Sequence, residues 1–452
     1  MYSVLVTSTL LPIAIVGNGG AAAEAVLALR ANGWTGDIHL FTDNAHAPYN
    51  PMLGTYVVSG KLPLEKAFPF GSGSAFYDAN RVTAHLEEPV TRIDTEAREL
   101  TTARGTYRYE RCLVASGARP AVPPVAGLRE ALAHPGAERR VFALQTVDDA
   151  LALRRAIDGL RAGVRGAAAG GALRAAVLGA SFAGVKIAEV LHGLGFQVTL
   201  IEREASVLPL AAHPEAARIL EAHLKGEGFR LRLGAALAGV GLPEDFSVPG
   251  AAIRLDFGAL PGAADPGDPG TACEDGAERE ETDLLVVCAG NRPALDFLAP
   301  GQVDVGRGIL VDDQMRSSAP GLYAAGDVAQ GKNLLSGRHE IIGLWSSARY
   351  QGRAAGRSIA GQPSGYPGGI PHNITHVGRM LFASMGCVDD YDTVTTTDDG
   401  GSRQVRLWRD GRLVGLNILD DCLSAGVMKQ AFSRMATGAT GDLEATWTSF
   451  RS

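Results

Sequence analysis

Ile13-Ala14-Ile15-Val16-Gly17-Asn18-Gly19-Gly20-Ala21-Ala22 is the stretch that decides the fold. Four apolar residues run into a glycine, as a buried parallel strand does. Gly17 to Ala22 has the form G-x-G-x-x-A, and Ala21 to Arg30 continues as an Ala/Leu-rich helix that closes at Asn32-Gly33. Glycines permit a tight turn and let the backbone approach a pyrophosphate. The helix N-terminus adds amides and the positive end of its dipole. Gly17, Gly19, Gly20 and Ala21 are therefore candidate phosphate contacts. An acidic ribose contact is expected about 20 residues further on, where Asp43 and Asn44 stand. A glycine turn without a ligand is the plain alternative, and the strand before and helix after weaken it.

Working outward, Asp37 to Phe41 reads as a second strand, and the same order then returns. Ala175 to Leu178 is a strand, Gly184 to Leu194 a helix, and Gln197 to Ile201 a strand. One unit is thus written twice in diverged form, which predicts an α/β protein with parallel sheets. The second glycine motif is Gly179-Ala180-Ser181-Phe182-Ala183-Gly184, with Ser181 where a glycine is usual. Its second strand ends in Glu202-Arg203. A carboxylate there accepts from the hydroxyls of an NAD ribose and repels a 2′-phosphate, so NADH is favoured over NADPH. Arg203 blunts that preference. A third motif, Tyr323-Ala324-Ala325-Gly326-Asp327, ends a strand with a carboxylate, where open α/β sheets bind ligands.

The bulk numbers fit this picture. At about 150 residues per domain, 452 residues make about three domains, and 46% hydrophobic content suffices for large cores. A net charge of -7 argues against a nucleic-acid binder. The 5 cysteines contain no C-x-x-C pair, which excludes a local redox dithiol or zinc knuckle and suits a reducing compartment. Met1 to Val16 is apolar but has no basic start, and no run reaches the ~18 apolar residues of a membrane span. A cytoplasmic protein without membrane association is expected.

Other segments are less telling. Arg161 to Gly171 reads as a loose connection, and Gly258 to Glu281 as an extended surface hairpin or loop. From Tyr366 onward short strand-like runs, such as Arg403 to Leu407 and Leu413 to Ile418, predict a C-terminal α+β domain. His372 and His376 share a face whether the segment is helix or strand, but no third ligand is near, so no metal site is assigned. His339-Glu340 reads equally as a ring-nitrogen donor or as a structural cap.

Two dinucleotide motifs followed by Tyr-Ala-Ala-Gly-Asp resemble the pyridine nucleotide-disulfide oxidoreductase family. Within it the chain is similar to members without a redox disulfide: ferredoxin and rubredoxin reductases and the flavin domain of NADH-dependent nitrite reductases. The resemblance includes Val114-Ala115-Ser116-Gly117-Ala118-Arg119-Pro120, Cys288-Ala289-Gly290-Asn291-Arg292-Pro293 and Trp345-Ser346-Ser347-Ala348 with Gln351-Gly352. It implies FAD held by Gly17, Gly19 and Asp327, with Ser116, Gly117 and Gly326 at the same site. It implies a nicotinamide nucleotide held by Gly179, Ser181, Gly184, Glu202 and Gly290. Leu344 to Ala348 would lie near the flavin, with Trp345 stacked there or packed as core. Tyr49 and Tyr56 would line the substrate side.

The departures are informative. The family's ribose-binding glutamate corresponds to Asn44, with Asp43 adjacent. The glutamate after the second glycine motif is Lys186, a charge reversal beside the expected nicotinamide. Met52 stands where peroxide- and disulfide-reducing relatives carry a reactive cysteine, and a thioether cannot supply a thiolate. The expected layout is two Rossmann-like units, the nicotinamide unit (residues 123–290) inserted in the FAD unit (1–122 and 291–362), then a C-terminal interface domain (363–452) that in the family often builds a dimer.

The leading expectation is an FAD enzyme passing hydride from NAD(P)H to the flavin and electrons onward to an iron-sulfur carrier protein or a small molecule. An alternative is a flavoprotein subunit that oxidises an amine or amino acid, motivated by Ser181 and Lys186. A third reading gives FAD a purely structural role, against which the retained motifs argue.

Overall fold

The structure, a computed structural model, describes residues 11–134, 139–166, 172–246, 248, 250–258, 278–399 and 401–436. Its first sheet begins with β1 (Ile13–Val16), β2 (Ile38–Phe41), β3 (Val82–His85) and β4 (Arg111–Val114). Helix α1 (Gly20–Ala31) joins β1 to β2, and α2 (Gly54–Ser59) precedes β3. β1 pairs in parallel with both β2 and β4, and β2 with β3. Every residue of β1 is buried, which is why it reads as a continuous apolar run and not as an alternating one.

The chain then leaves this sheet and builds a second. In order come β5 (Val141–Ala143), α3 (Val147–Gly166), β6 (Arg174–Leu178), α4 (Phe182–Gly193), β7 (Gln197–Ile201), α5 (Pro214–Gly226), β8 (Arg230–Arg232) and β9 (Leu284–Val287). They form an all-parallel sheet in the order β8-β7-β6-β9-β5. Strand β10 (Leu322–Ala324) returns to the first sheet, pairing in parallel with β4, so that its order is β10-β4-β1-β2-β3. The second sheet is therefore written between strands of the first. The two chain crossings, Ala118–Pro120 and Asn291–Pro293, pair antiparallel.

Helix α6 (Trp345–Ile359) packs along α1. A Cβ at Gly352 would lie 2.1 Å from the Ala21 carbonyl oxygen, and one at Gly356 2.5 Å from that of Ala25. Backbone touches backbone there, which only glycine allows.

The last sheet is antiparallel: β11 (His372–Val377), β12 (Met380–Gly386), β13 (Thr393–Asp398), β14 (Arg403–Arg409) and β15 (Arg412–Leu419), in the order β11-β12-β15-β14-β13. One face carries Ala383, Met385, Leu416 and Ile418 against Ala425 and Met428 of α7 (Cys422–Ala436). The other face adds Val377, Phe382, Val405 and Leu407 to the core of the second sheet, which includes Leu220 and Leu224 of α5.

The fold is the expected α/β architecture with two parallel sheets and an α+β tail. One expectation is corrected. Residues 161–166 are not a loose connection but the last turns of α3. Alanine and arginine in that stretch favour helix, and the helix runs on through Gly163 to Gly166. Residues 167–171, most of the 258–281 segment, residues 1–10 and residues 437–452 lie outside the described residues. At the ends of the 258–281 segment, Ile253–Gly258 and Arg279–Thr282 do pair antiparallel. Among the described residues no helix is long and apolar enough to cross a membrane.

Candidate active site

The first glycine loop sits at the C-terminal end of β1. Gly17 has φ +112°, and a Cβ on it would lie 2.1 Å from the Ala115 oxygen. Gly19 caps α1 with no side-chain hydrogen bond, and nothing stands within 4 Å of where its Cβ would be. The amides of this helix start are thus uncapped and approachable, as an anion requires. A Cβ on Gly20 would fall 2.7 Å from the Trp345 ring, so Trp345 lies over the first turn of α1. Ala21 meets Gly326 as well as Gly352.

Two polar groups here lack partners. Asn18 is buried; its Nδ2 donates to the His46 carbonyl and the Tyr77 hydroxyl, both at 2.8 Å, while its Oδ1 accepts nothing. Asp327 follows β10, and burial without a counter-charge pushes its carboxyl up to about 6. A buried orphan acceptor and an unpaired carboxyl are costly unless something meets them. Gly117, with φ +68°, also faces open space, and Ser116 Oγ donates to the Ala294 carbonyl at 2.8 Å. These features fit a dinucleotide with hydroxyl groups along its length.

The ribose candidates differ from each other. Asn44 is used internally: its Nδ2 donates to Thr42 Oγ1 at 2.8 Å and its Oδ1 accepts from the His46 amide at 3.1 Å. Asp43 is exposed and lies 3.6 Å from Arg119, which also lies 3.9 Å from Asp296.

The second loop is built on the same plan with one change. A Cβ on Gly179 would lie 2.4 Å from the Cys288 oxygen, and one on Gly184 1.8 Å from the Gly179 oxygen. Ser181 caps α4, accepting from the Gly184 amide at 3.4 Å and donating to the Cys288 carbonyl at 3.2 Å. Gly290 has φ +100° and open space around it. Glu202 is locked in place: Oε2 accepts from the Ala180 amide at 2.7 Å and Oε1 from the Glu204 amide at 2.9 Å. Arg203 is largely exposed and pairs with Glu204 at 3.0 Å.

The remaining nominees scatter. Met52 is 59% exposed and Tyr56 47%, on a segment where α2 packs against α3 and α4. Tyr49 is partly buried, which pushes its hydroxyl up to about 12. Lys186 does not project into open space: its Nζ contacts Glu189 Oε2 at 2.6 Å and donates to the His376 carbonyl at 2.8 Å. Glu340 accepts from Asn333, Ser336 and Arg338, a structural use. Among the described residues no group of three or more His, Cys, Asp or Glu could hold a metal ion. Cys112, Cys288, Cys387 and Cys422 are free thiols; Cys273 lies outside the described residues.

Sequence reasoning passed over Glu24. It is buried on α1, and Arg349 and Arg353 of α6 reach it at 2.8 and 3.0 Å. A lone carboxylate on an alanine-rich helix was the available signal. It also passed over Asn18, Glu189, and the 2.9 Å contact of His46 with Asp148 at the start of α3.

Residues 11–352 match the family model described as pyridine nucleotide-disulphide oxidoreductase. The chain belongs to that family. It is 30% identical over 343 residues to the NADH-dependent phenylglyoxylate dehydrogenase subunit epsilon of Aromatoleum evansii, covering 76% of this chain and 70% of that one. It is 29% identical over 324 residues to the rubredoxin-NAD(+) reductase of Ectopseudomonas oleovorans, covering 71% and 72%. The ferredoxin reductase of Rhodopseudomonas palustris shares the fold, with a TM-score of 0.77 at 21% identity over 96% of each chain. The protein is an FAD-dependent NAD(P)H oxidoreductase.

Proposed function

We propose that this oxidoreductase passes the electrons of NADH through FAD to a small iron-sulfur or rubredoxin-type carrier protein. The observation that carries the reading is the pair of glycine loops at the C-terminal ends of two parallel sheets. The first leaves its helix start uncapped beside an unpaired, partly buried carboxyl, and the second sets Gly290, with open space around it, beside the anchored Glu202. FAD supplies a hydride acceptor that can return electrons one at a time. The chain's part is to bind and orient. The Gly17–Ala21 loop and the α1 amides hold the pyrophosphate, Asp327 takes the ribityl hydroxyls, and Trp345 flanks the bound group. Ser116, Gly117 and Gly326 line its path, and Asp43 or Asn44 meets the adenosine. Gly179, Ser181, Gly184 and Gly290 approach the nicotinamide nucleotide, with Glu202 on its ribose. Met52 brings no thiolate to the acceptor side, so electrons leave the protein directly.

The unit boundaries stated above, 1–122 with 291–362, 123–290 and 363–452, belong to this proposal. So does a cytoplasmic setting, which the free thiols support. The names of the relatives, rubredoxin-NAD(+) reductase among them, support the carrier. The test is NADH-dependent reduction of purified rubredoxin and of a [2Fe–2S] ferredoxin, followed by their visible spectra. Steady turnover of either supports the proposal. Rapid turnover with a dye alongside none with any carrier would replace it with a small-molecule acceptor.

A further inference from the structure

The charge-reversed Lys186 is tied into a contact that the glycine motifs do not explain. β11 and β12 are joined by a two-residue turn, Gly378-Arg379, whose tip rests on α4 and α5. On α4, Lys186 Nζ donates to the His376 carbonyl at 2.8 Å, and Glu189 Oε1 accepts from the Gly378 amide at 2.7 Å. The other oxygen of Glu189 meets Lys186 at 2.6 Å, so the two side chains act as one jaw. At the C-terminal end of α5, the Arg379 amide points at His223 Nε2 and at Oε1 of the capping Glu227, 3.1 Å from each. Gly378 has φ +62°, and a Cβ on it would lie 2.3 Å from Glu227 Oε2. Phe182, the first residue of α4, stacks on Phe382 of β12 at 6.1 Å.

The far end of the same domain is fixed to the FAD-side unit. The Leu334 amide donates to the Gly369 carbonyl at 3.0 Å, and Leu334 and Leu335 join the core beneath α7. The C-terminal domain thus spans from the segment before α6 to the helix that carries the second glycine loop. The two Rossmann-like units also meet at the two crossing strands, at α2, and where His46 contacts Asp148 at 2.9 Å.

We propose that Lys186 is a positioning residue: with Glu189 it clasps the β11–β12 turn, and the clasp holds the nicotinamide unit in the orientation that hydride transfer needs. This rests on the reading that the Gly179–Gly184 loop binds the nicotinamide nucleotide. Glu202 and Ser181 take no part in the clasp: Glu202 accepts from the Ala180 and Glu204 amides, and Ser181 donates to the Cys288 carbonyl. Breaking it lowers the rate of transfer and leaves nucleotide affinity in place.

The experiment is anaerobic rapid-mixing of the FAD-loaded enzyme with NADH, giving the limiting flavin reduction rate and the NADH Kd. It is paired with hydrogen–deuterium exchange at residues 372–386. Lys186→Gln, Glu189→Gln and Gly378→Ala are each expected to cut the limiting rate about tenfold, to hold Kd within about twofold, and to speed exchange at the turn. Lys186→Arg, which keeps the donor, is expected to restore most of the rate. A slow Lys186→Gln beside normal Glu189→Gln and Gly378→Ala overturns the proposal, because Lys186 then acts on the nicotinamide directly. So does normal exchange and normal rate in all three. If NADH fails to reduce even the wild-type flavin, the nicotinamide reading itself fails, and that failure is seen before any variant is made.

Discussion

Asp327 shows how one residue can mark a site by its cost. Its carboxyl is raised from 3.8 to about 6 by burial alone. The folded protein therefore binds a proton between these values that the unfolded chain does not. The associated stability is present below pH 3.8 and lost as pH rises through about 6. Without FAD, Asp327→Asn is expected to stabilise the protein at pH 8 by roughly 1–3 kcal/mol and to have little effect at pH 4. Denaturant unfolding of the flavin-free protein at both pH values checks this. An equal effect at both would show that the carboxyl is not held uncharged. The same variant should hold FAD more weakly on purification, because a neutral carboxamide offers one acceptor oxygen in place of a charged carboxylate's two. At the second loop, Glu202 is held by two backbone amides. Losing a charge-assisted contact from that carboxylate to a ribose hydroxyl costs about 1.5–3 kcal/mol, so Glu202→Ala should weaken NADH by roughly 10- to 100-fold. NADPH, whose 2′-phosphate the carboxylate repels, should weaken far less. Kd values for both nucleotides by fluorescence test it; an unchanged ratio removes the basis for the NADH preference. The glycines Gly17, Gly179 and Gly184 were legible in sequence because each answers a local backbone demand. The use of Asn44 in its own turn was not, since an asparagine in a row of polar residues reads the same whether it faces a ligand or its own amides.

At the scale of elements, α1 and α6 decide how the first loop is presented. Gly352 and Gly356 bring the helices into backbone contact, and Glu24 is gripped by Arg349 and Arg353. Removing one side of a buried ion pair can cost about 3–5 kcal/mol when the other charge is stranded. Here the arginines are 42% and 49% exposed, so water can solvate them once Glu24 is gone. Glu24→Ala is therefore expected to cost only about 1–2 kcal/mol while releasing FAD faster, as the start of α1 shifts under Trp345. Thermal unfolding of the flavin-free protein and the FAD release rate separate the two effects. A loss above the predicted range with unchanged FAD release would mean that the pair serves stability alone. Helix α1 itself was readable from its alanines and its glycine entry. Its partner was not, because Arg349 stands 325 residues away from Glu24 in the chain and no local pattern links them.

At the scale of the molecule, the sequence repeats strand, glycine turn and helix, and the structure turns that repeat into two parallel sheets, one written inside the other. That much was legible, since buried parallel strands and glycine turns leave local marks. The C-terminal domain was legible only as strands. That it rests on α4 and α5 comes from side chains such as Phe382 and Asn417, the latter accepting from the His213 amide at 2.7 Å, and nothing near Asn417 in the chain announces a partner at the start of α5. The central claim, however, concerns the whole assembly: one loop binds FAD, the other binds NADH, and hydride crosses between them. The most direct measurement is an anaerobic titration of the FAD-loaded protein with NADH, then separately with NADPH, followed at the visible flavin band. Bleaching complete at one equivalent of NADH, and slower or weaker with NADPH, is the predicted result. A flavin spectrum that neither nucleotide changes would contradict the account and turn attention to amines and amino acids as the electron source.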